Sequence, residues 1–222
     1  MHPIDYIHWF QENFIHLDKS LENIVHLYGI WVYAILFGIV FCETGLVITP
    51  FLPGDALLFA VGAYSVSHPN AGLKWPVAMG LLMVAAFLGN MVNFAIGGKL
   101  GGKIFKDNAL ILKKSYLDKT HLFFEKHGAK AIIMARFLPI FRTLSPFVAG
   151  MAGMDRRKFT LYTIVGSLLW VFLMMIAGVL FGQIDWVQKH FETVVLGIIV
   201  ISMLPVAFEV ATQFYHSRKS GK

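Results

Sequence analysis

The sequence predicts an all-α membrane protein, a helical bundle with two oppositely oriented re-entrant hairpins in an inverted repeat, plus an N-terminal amphipathic helix. Three observations carry this reading. Of 222 residues, 57% are hydrophobic and only 14% are charged, the composition of a polytopic membrane domain. Apolar runs of spanning length recur at 27–48, 77–96, 159–182 and 193–213. Two further apolar blocks, 49–64 and 131–154, carry prolines and charges that a plain lipid-facing helix does not accept.

The block from Ala131 to Met154 sets the architecture. It is bounded by Lys130 and Asp155, and holds Arg136, Pro139, Arg142 and Pro146 among Phe, Leu, Ile and Val. An arginine at the centre of a lipid-facing helix costs roughly 2.5–3.5 kcal/mol on insertion scales. A proline inside a helix removes a donor and clashes with the preceding turn. Broken backbone at membrane depth persists only when buried in protein or lining a wet cavity. The expectation is a hairpin that carries two guanidinium groups into the membrane, with turns at Pro139, Pro146 and Gly150.

Residues 1–26 place Ile4, Ile7, Phe10, Phe14 and Leu17 at helical spacing, as in a helix lying in the interface or packed on the protein. Asp5 and Glu12 replace the basic region of a signal peptide, so no cleavable one is expected. The first repeat covers 27–97. Its first run, Leu27 to Ile48, is interrupted only by Glu43. Pro50, Pro53, Gly54 and Asp55 then open a piece too short to span, read as the first hairpin, 49–64. After a polar loop, Val77 to Ile96 is uncharged, with Asn90 and Asn93 on one face.

Residues 98–130 form a basic segment with eight lysines against Asp107, Asp118 and Glu125, and a surface helix is expected over 115–127. The second repeat, 131–182, ends in the span Phe159 to Gly182. A short loop, 183–190, precedes the last span, Thr193 to Gln213 within the segment 190–213, where Glu209 snorkels to the surface. Several of Trp9, Trp31, Trp75, Trp170 and Trp186 fall near the expected interfaces, as in an aromatic belt.

Positive loops orient the chain. The basic segment and Arg156-Arg157-Lys158 both belong on the cytoplasmic side, which requires the block between them to return to its own side. The tail, with Arg218, Lys219 and Lys222, is then cytoplasmic as well. The same argument accounts for the formal charge of +6 without nucleic-acid binding. The single cysteine, Cys42, excludes an intramolecular disulfide, and neither a metal site nor a cofactor is expected.

Four ionisable residues lie in the apolar segments: Glu43, Asp55, Arg136 and Arg142. In an inverted repeat the broken segments meet near the midplane and form the substrate site. Arginines there suit a phosphate headgroup, and carboxylates can pair with them or exchange protons. Asn90, Asn93 and Thr143 are candidates for the cavity lining, with hydrogen bonding between helices the slightly favoured role for the two asparagines. Buried ion pairs that only join the hairpins are the structural alternative, but such pairs stabilise poorly. Gly54, Gly150 and Gly153 serve either the turns or close helix packing.

The strings Phe-Cys-Glu-Thr-Gly-Leu (41–46), Thr-Pro-Phe-Leu-Pro-Gly-Asp (49–55), Ala-Arg-Phe-Leu-Pro-Ile-Phe-Arg-Thr (135–143) and Pro-Phe-Val-Ala-Gly-Met (146–151) make the chain resemble the DedA family of bacterial inner-membrane proteins. Ser115–His121 and Glu125–Gly128 add to the likeness, which runs from about Gly29 to Pro205. The resemblance implies kinship with the VTT-domain scramblases and lipid translocation, with links to undecaprenyl phosphate recycling and to membrane-potential and proton homeostasis. It implies essential roles for Glu43, Asp55, Arg136 and Arg142. Asn90 departs from it, standing where an acid is expected.

The function expected is a lipid-phosphate translocase whose partners are a lipid phosphate headgroup, protons and membrane lipids. A proton-coupled transporter of small cations or drugs, with Glu43 and Asp55 as binding acids, is the rival. A membrane phosphatase is disfavoured, and no enzyme is expected, because no nucleophile–base pair accompanies the arginines beyond Ser145 and Thr143. Aromatic and small-residue faces on the last spans would suit a homodimer.

Overall fold

The computed structural model describes residues 25, 27–46, 54–100, 128–136 and 139–201. Among these, all regular structure is helical. A 3₁₀ turn, Gly29–Trp31, leads into α1 (Val32–Gly45). Then come α2 (Gly54–Ser67), α3 (Trp75–Leu100), α4 (Ala131–Ala135), α5 (Pro139–Met151), α6 (Arg156–Phe181), the short α7 (Asp185–Lys189) and α8 (Phe191–Ile201).

Two helices are long and apolar enough to cross a bilayer, α3 and α6, each of 26 residues. At 1.5 Å per residue each is about 39 Å long, more than the hydrocarbon thickness of roughly 30 Å. Both sit where an uncharged run was expected; α3 outruns it at both ends and α6 at its start. The α6 helix starts where the Asp155 carboxylate accepts from the Lys158 backbone N–H at 3.0 Å, a side-chain cap for an orphan donor. Its outer face presents Leu161, Val165, Leu168, Phe172 and Leu173, the side that lipid would cover.

The other described helices are shorter. The helical stretch Gly29–Gly45 falls at the lower limit for a span. The α2 and α5 helices, of 14 and 13 residues, are only about 20 Å long. The α2 helix is buried almost all round, from Ala56 to Ser65. Such a helix needs protein on every side, and α2 finds it chiefly on α6.

Two contacts define the assembly. In the first, α2 packs on α6: a Cβ added at Gly62 would strike the Met175 carbonyl, and one at Gly178 would strike the Phe59 carbonyl. In the second, α5 packs on α3: a Cβ at Gly150 would strike the Phe94 carbonyl, and one at Gly97 the Phe147 carbonyl. Both crossings are antiparallel, and both use the same spacing, a large apolar residue followed three positions later by glycine. Glycine here lets backbone touch backbone, the usual device where lipid gives no hydrophobic drive for helix association. The α1 helix packs on α3 and α4 packs on α6, contacts that stay within each half of the chain.

The block 131–154 departs from the expected pattern. Pro146 does not break it: the proline lies inside α5. Pro146 leaves the Arg142 carbonyl without its helical donor, a loss tolerated in buried membrane helices where neighbours can satisfy the freed group. Pro139 opens α5, where its missing N–H is not needed. Of the two glycines expected at the turn, Gly150 is helical and Gly153 turns, at φ +68°. There Met154 N–H reaches the Ala149 carbonyl and Gly153 N–H the Gly150 carbonyl, the Schellman pattern that ends a helix on a left-handed glycine.

Smaller departures follow the same logic. The expected loop at 183–190 contains α7, and α3 carries on past Ile96 into the basic segment. The N-terminal helix, Pro50, Pro53, the surface helix at 115–127, Glu209 and the C-terminal tail lie outside the described residues.

Candidate functional site

The four ionisable residues come from four places in the chain and converge. Glu43 lies in the last turn of α1, Asp55 in the first turn of α2, Arg136 directly after α4 and Arg142 in the first turn of α5. Arg142 is the hub. Its Nη2 donates to Glu43 Oε1 at 2.5 Å and its Nη1 to Asp55 Oδ1 at 2.7 Å, linking residues 99 and 87 positions apart. Arg142 and Glu43 are buried, and the Asp55 side chain is 14% exposed.

The local backbone is fitted to these charges. A Cβ at Gly54 would fall on the Glu43 carboxylate, so a larger residue there would push that carboxylate from its place on Arg142. Asn93 of α3 sits behind them. Its Nδ2 donates to the Thr44 carbonyl at 3.1 Å and to the Thr143 carbonyl at 2.9 Å, clamping α1 to α5 beside the acid and the arginine. Thr143 therefore serves through its backbone at this point. Asn90 does not join the group, because its Nδ2 donates to the Ala86 carbonyl of its own helix. Of the two asparagines, Asn93 bonds across helices through its Nδ2 and the Asn90 Nδ2 bonds within its own.

Arg136 is held differently. Its Nη2 donates to Ser167 Oγ at 2.8 Å, and it is 4% exposed. A Cβ at Gly166 would come within 3.0 Å of Arg136 Nε, so the Gly166-Ser167 step of α6 is the groove in which the side chain lies. Its Nη1 has no hydrogen-bond partner, and no carboxylate of the described residues lies within ion-pair distance of it.

Trp170 joins the two arginines. Its indole N–H donates to Asp55 Oδ1 at 2.7 Å, and its ring lies 4.9 Å from Arg142 Cζ and 6.0 Å from Arg136 Cζ. At 1% exposed it is not part of an interfacial belt. Sequence reasoning missed Trp170 and Ser167. A signal was present: Trp170 falls in the middle of an apolar span, whereas belt tryptophans fall at its ends.

Chemically, this is a buried cluster of two carboxylates and two guanidiniums with zero formal charge but uneven pairing. Removing one partner of a buried pair costs about 3–5 kcal/mol, because the other charge stays desolvated. Among the described residues, no group of three or more His, Cys, Asp or Glu side chains comes together.

A bundle of short and long apolar helices around buried charges defines a polytopic membrane protein. The chain matches the VTT domain over residues 30–180. It is 50% identical over 208 residues to Protein DedA of Escherichia coli K12, covering 93% of this chain and 94% of that protein. It is 33% identical over 180 residues to the inner membrane protein YqjA of the same organism, covering 81% and 80%. It is also 38% identical over 168 residues to an uncharacterized membrane protein of Mycobacterium leprae, covering 75% and 74%. The chain belongs to the DedA family of VTT-domain membrane proteins. No solved structure matches it.

Proposed function

We propose that this protein moves lipid phosphates, such as undecaprenyl phosphate or a phospholipid, across the bacterial inner membrane, coupled to protons or to the membrane potential. The observation that carries the reading is the buried cluster at Glu43, Asp55, Arg136 and Arg142, to which both halves of the chain contribute. Intramembrane charges are functional by default, and guanidiniums match the geometry of phosphate oxygens. Protonation of Glu43 or Asp55 would loosen their hold on Arg142 and couple the cycle to protons.

The helix arrangement supports a transport fold. The α2 and α5 helices are too short to cross, and each grips the spanning helix of the other half through the same glycine crossing. That exchange is what two half-inserted hairpins of opposite direction would give, with the substrate site where they meet. The positive loops support an orientation with residues 98–130 and the C-terminus in the cytoplasm. The alternative of a small-cation transporter fits less well. Both acids are already engaged by Arg142, so a cation would have to displace a guanidinium.

The test is flipping of a fluorescent lipid phosphate by the purified full-length chain in proteoliposomes. Arg136→Ala with Arg142→Ala should bring the rate down to that of protein-free vesicles. An unchanged rate in the doubly substituted protein refutes the proposal.

A further inference from the structure

The two arginines sit in one cluster but in different electrostatic states. Arg142 has both terminal nitrogens on carboxylates, and the trio Glu43, Asp55 and Arg142 has a formal charge of −1. A phosphoryl anion approaching Arg142 meets two oxygens already in place and a net like charge. Arg136 has one neutral hydroxyl as partner and is otherwise uncompensated at contact distance. Burying a guanidinium in this state is unfavourable unless something satisfies it. Its Nη1 N–H groups are the donors left for an incoming acceptor, and the close approach of Gly166 fixes the side chain that carries them.

We infer that the arginines divide the work. Arg136 receives the anion, a phosphoryl group with unesterified oxygens, while Arg142 is a positioning residue that holds Glu43 and Asp55 together. Trp170 keeps this division: its N–H fixes Asp55 towards Arg142, and its ring lies beside both guanidiniums. The inference rests on the lipid-phosphate reading and goes beyond it by assigning unequal roles.

The assay is calorimetric titration of the purified full-length chain with dodecyl phosphate and, separately, with inorganic phosphate. Arg136→Gln should weaken binding more than tenfold, and Arg136→Lys, which keeps the charge without the fork, by less. Arg142→Gln alone strips two acids of their cationic partner and destabilises the fold. The neutral triple variant Glu43→Gln, Asp55→Asn, Arg142→Gln removes that problem and should lose less affinity than Arg136→Gln. Preference for dodecyl phosphate identifies a lipid headgroup, and equal affinity for both probes identifies free phosphate. Either supports Arg136 if its substitution removes the binding.

Full binding by Arg136→Gln, or loss of binding in the triple variant equal to that in Arg136→Gln, overturns the division of roles but leaves the lipid-phosphate reading standing. Failure of the unsubstituted chain to bind either probe overturns both.

Discussion

Replacing Arg142 with alanine should destabilise the protein by about 3–5 kcal/mol, the range for a buried charge stripped of its partner. The structure says why the loss falls there. Glu43, 1% exposed, keeps no other ion-pair partner among the described residues, whereas Asp55 keeps the Trp170 N–H and is 14% exposed. Glu43 therefore bears most of the penalty. Reversible unfolding in mixed micelles measures it, with the denaturant midpoint converted to free energy. The decisive comparison is a cycle: in a Glu43→Gln, Asp55→Asn background, Arg142→Ala should lose at most about 1 kcal/mol, since no buried charge is orphaned. An equal loss in both backgrounds would show that Arg142 stabilises through packing, and the ion-pair account would be wrong.

Two further perturbations separate backbone packing from polar clamping. Gly62→Ala and Gly150→Ala each drive a methyl group into a carbonyl across a helix crossing and should destabilise by about 1–3 kcal/mol, while Gly80→Ala, which meets nothing within 4 Å, should be neutral or slightly stabilising by the same unfolding assay. Asn93→Ala removes the donor shared by the Thr44 and Thr143 carbonyls and should cost about 1–3 kcal/mol, whereas Asn90→Ala, whose bond stays within α3, should cost less.

Much of this was legible in the residues, for identifiable reasons. The α3 and α6 helices could be read because bilayer thickness demands long uncharged runs, and little else produces them. The four charges could be picked out because the same solvent makes an unpaired ion conspicuous. Their pairing could not be read. Which arginine meets which acid depends on the direction of Gly54, Gly166 and Asn93 relative to neighbours far away in the chain. Pro146 misled because a proline is a strong local signal, and local signals yield when a helix is enclosed by protein. Trp170 was hidden for the opposite reason: its residue type has a common role at the interface, and only its depth in the span argued against it.

The mutual grip of the two halves has a consequence for how the chain can be divided. The α2 helix touches α3 of its own half only slightly and takes its main support from α6. A fragment ending before residue 128 would leave α2, buried along nearly its whole length, without the surface that encloses it. The halves are thus not modules that can be severed and kept. Expressed separately they should be cleared from the cell, and expressed together they should rescue one another, because each supplies the wall against which the other's short helix becomes stable.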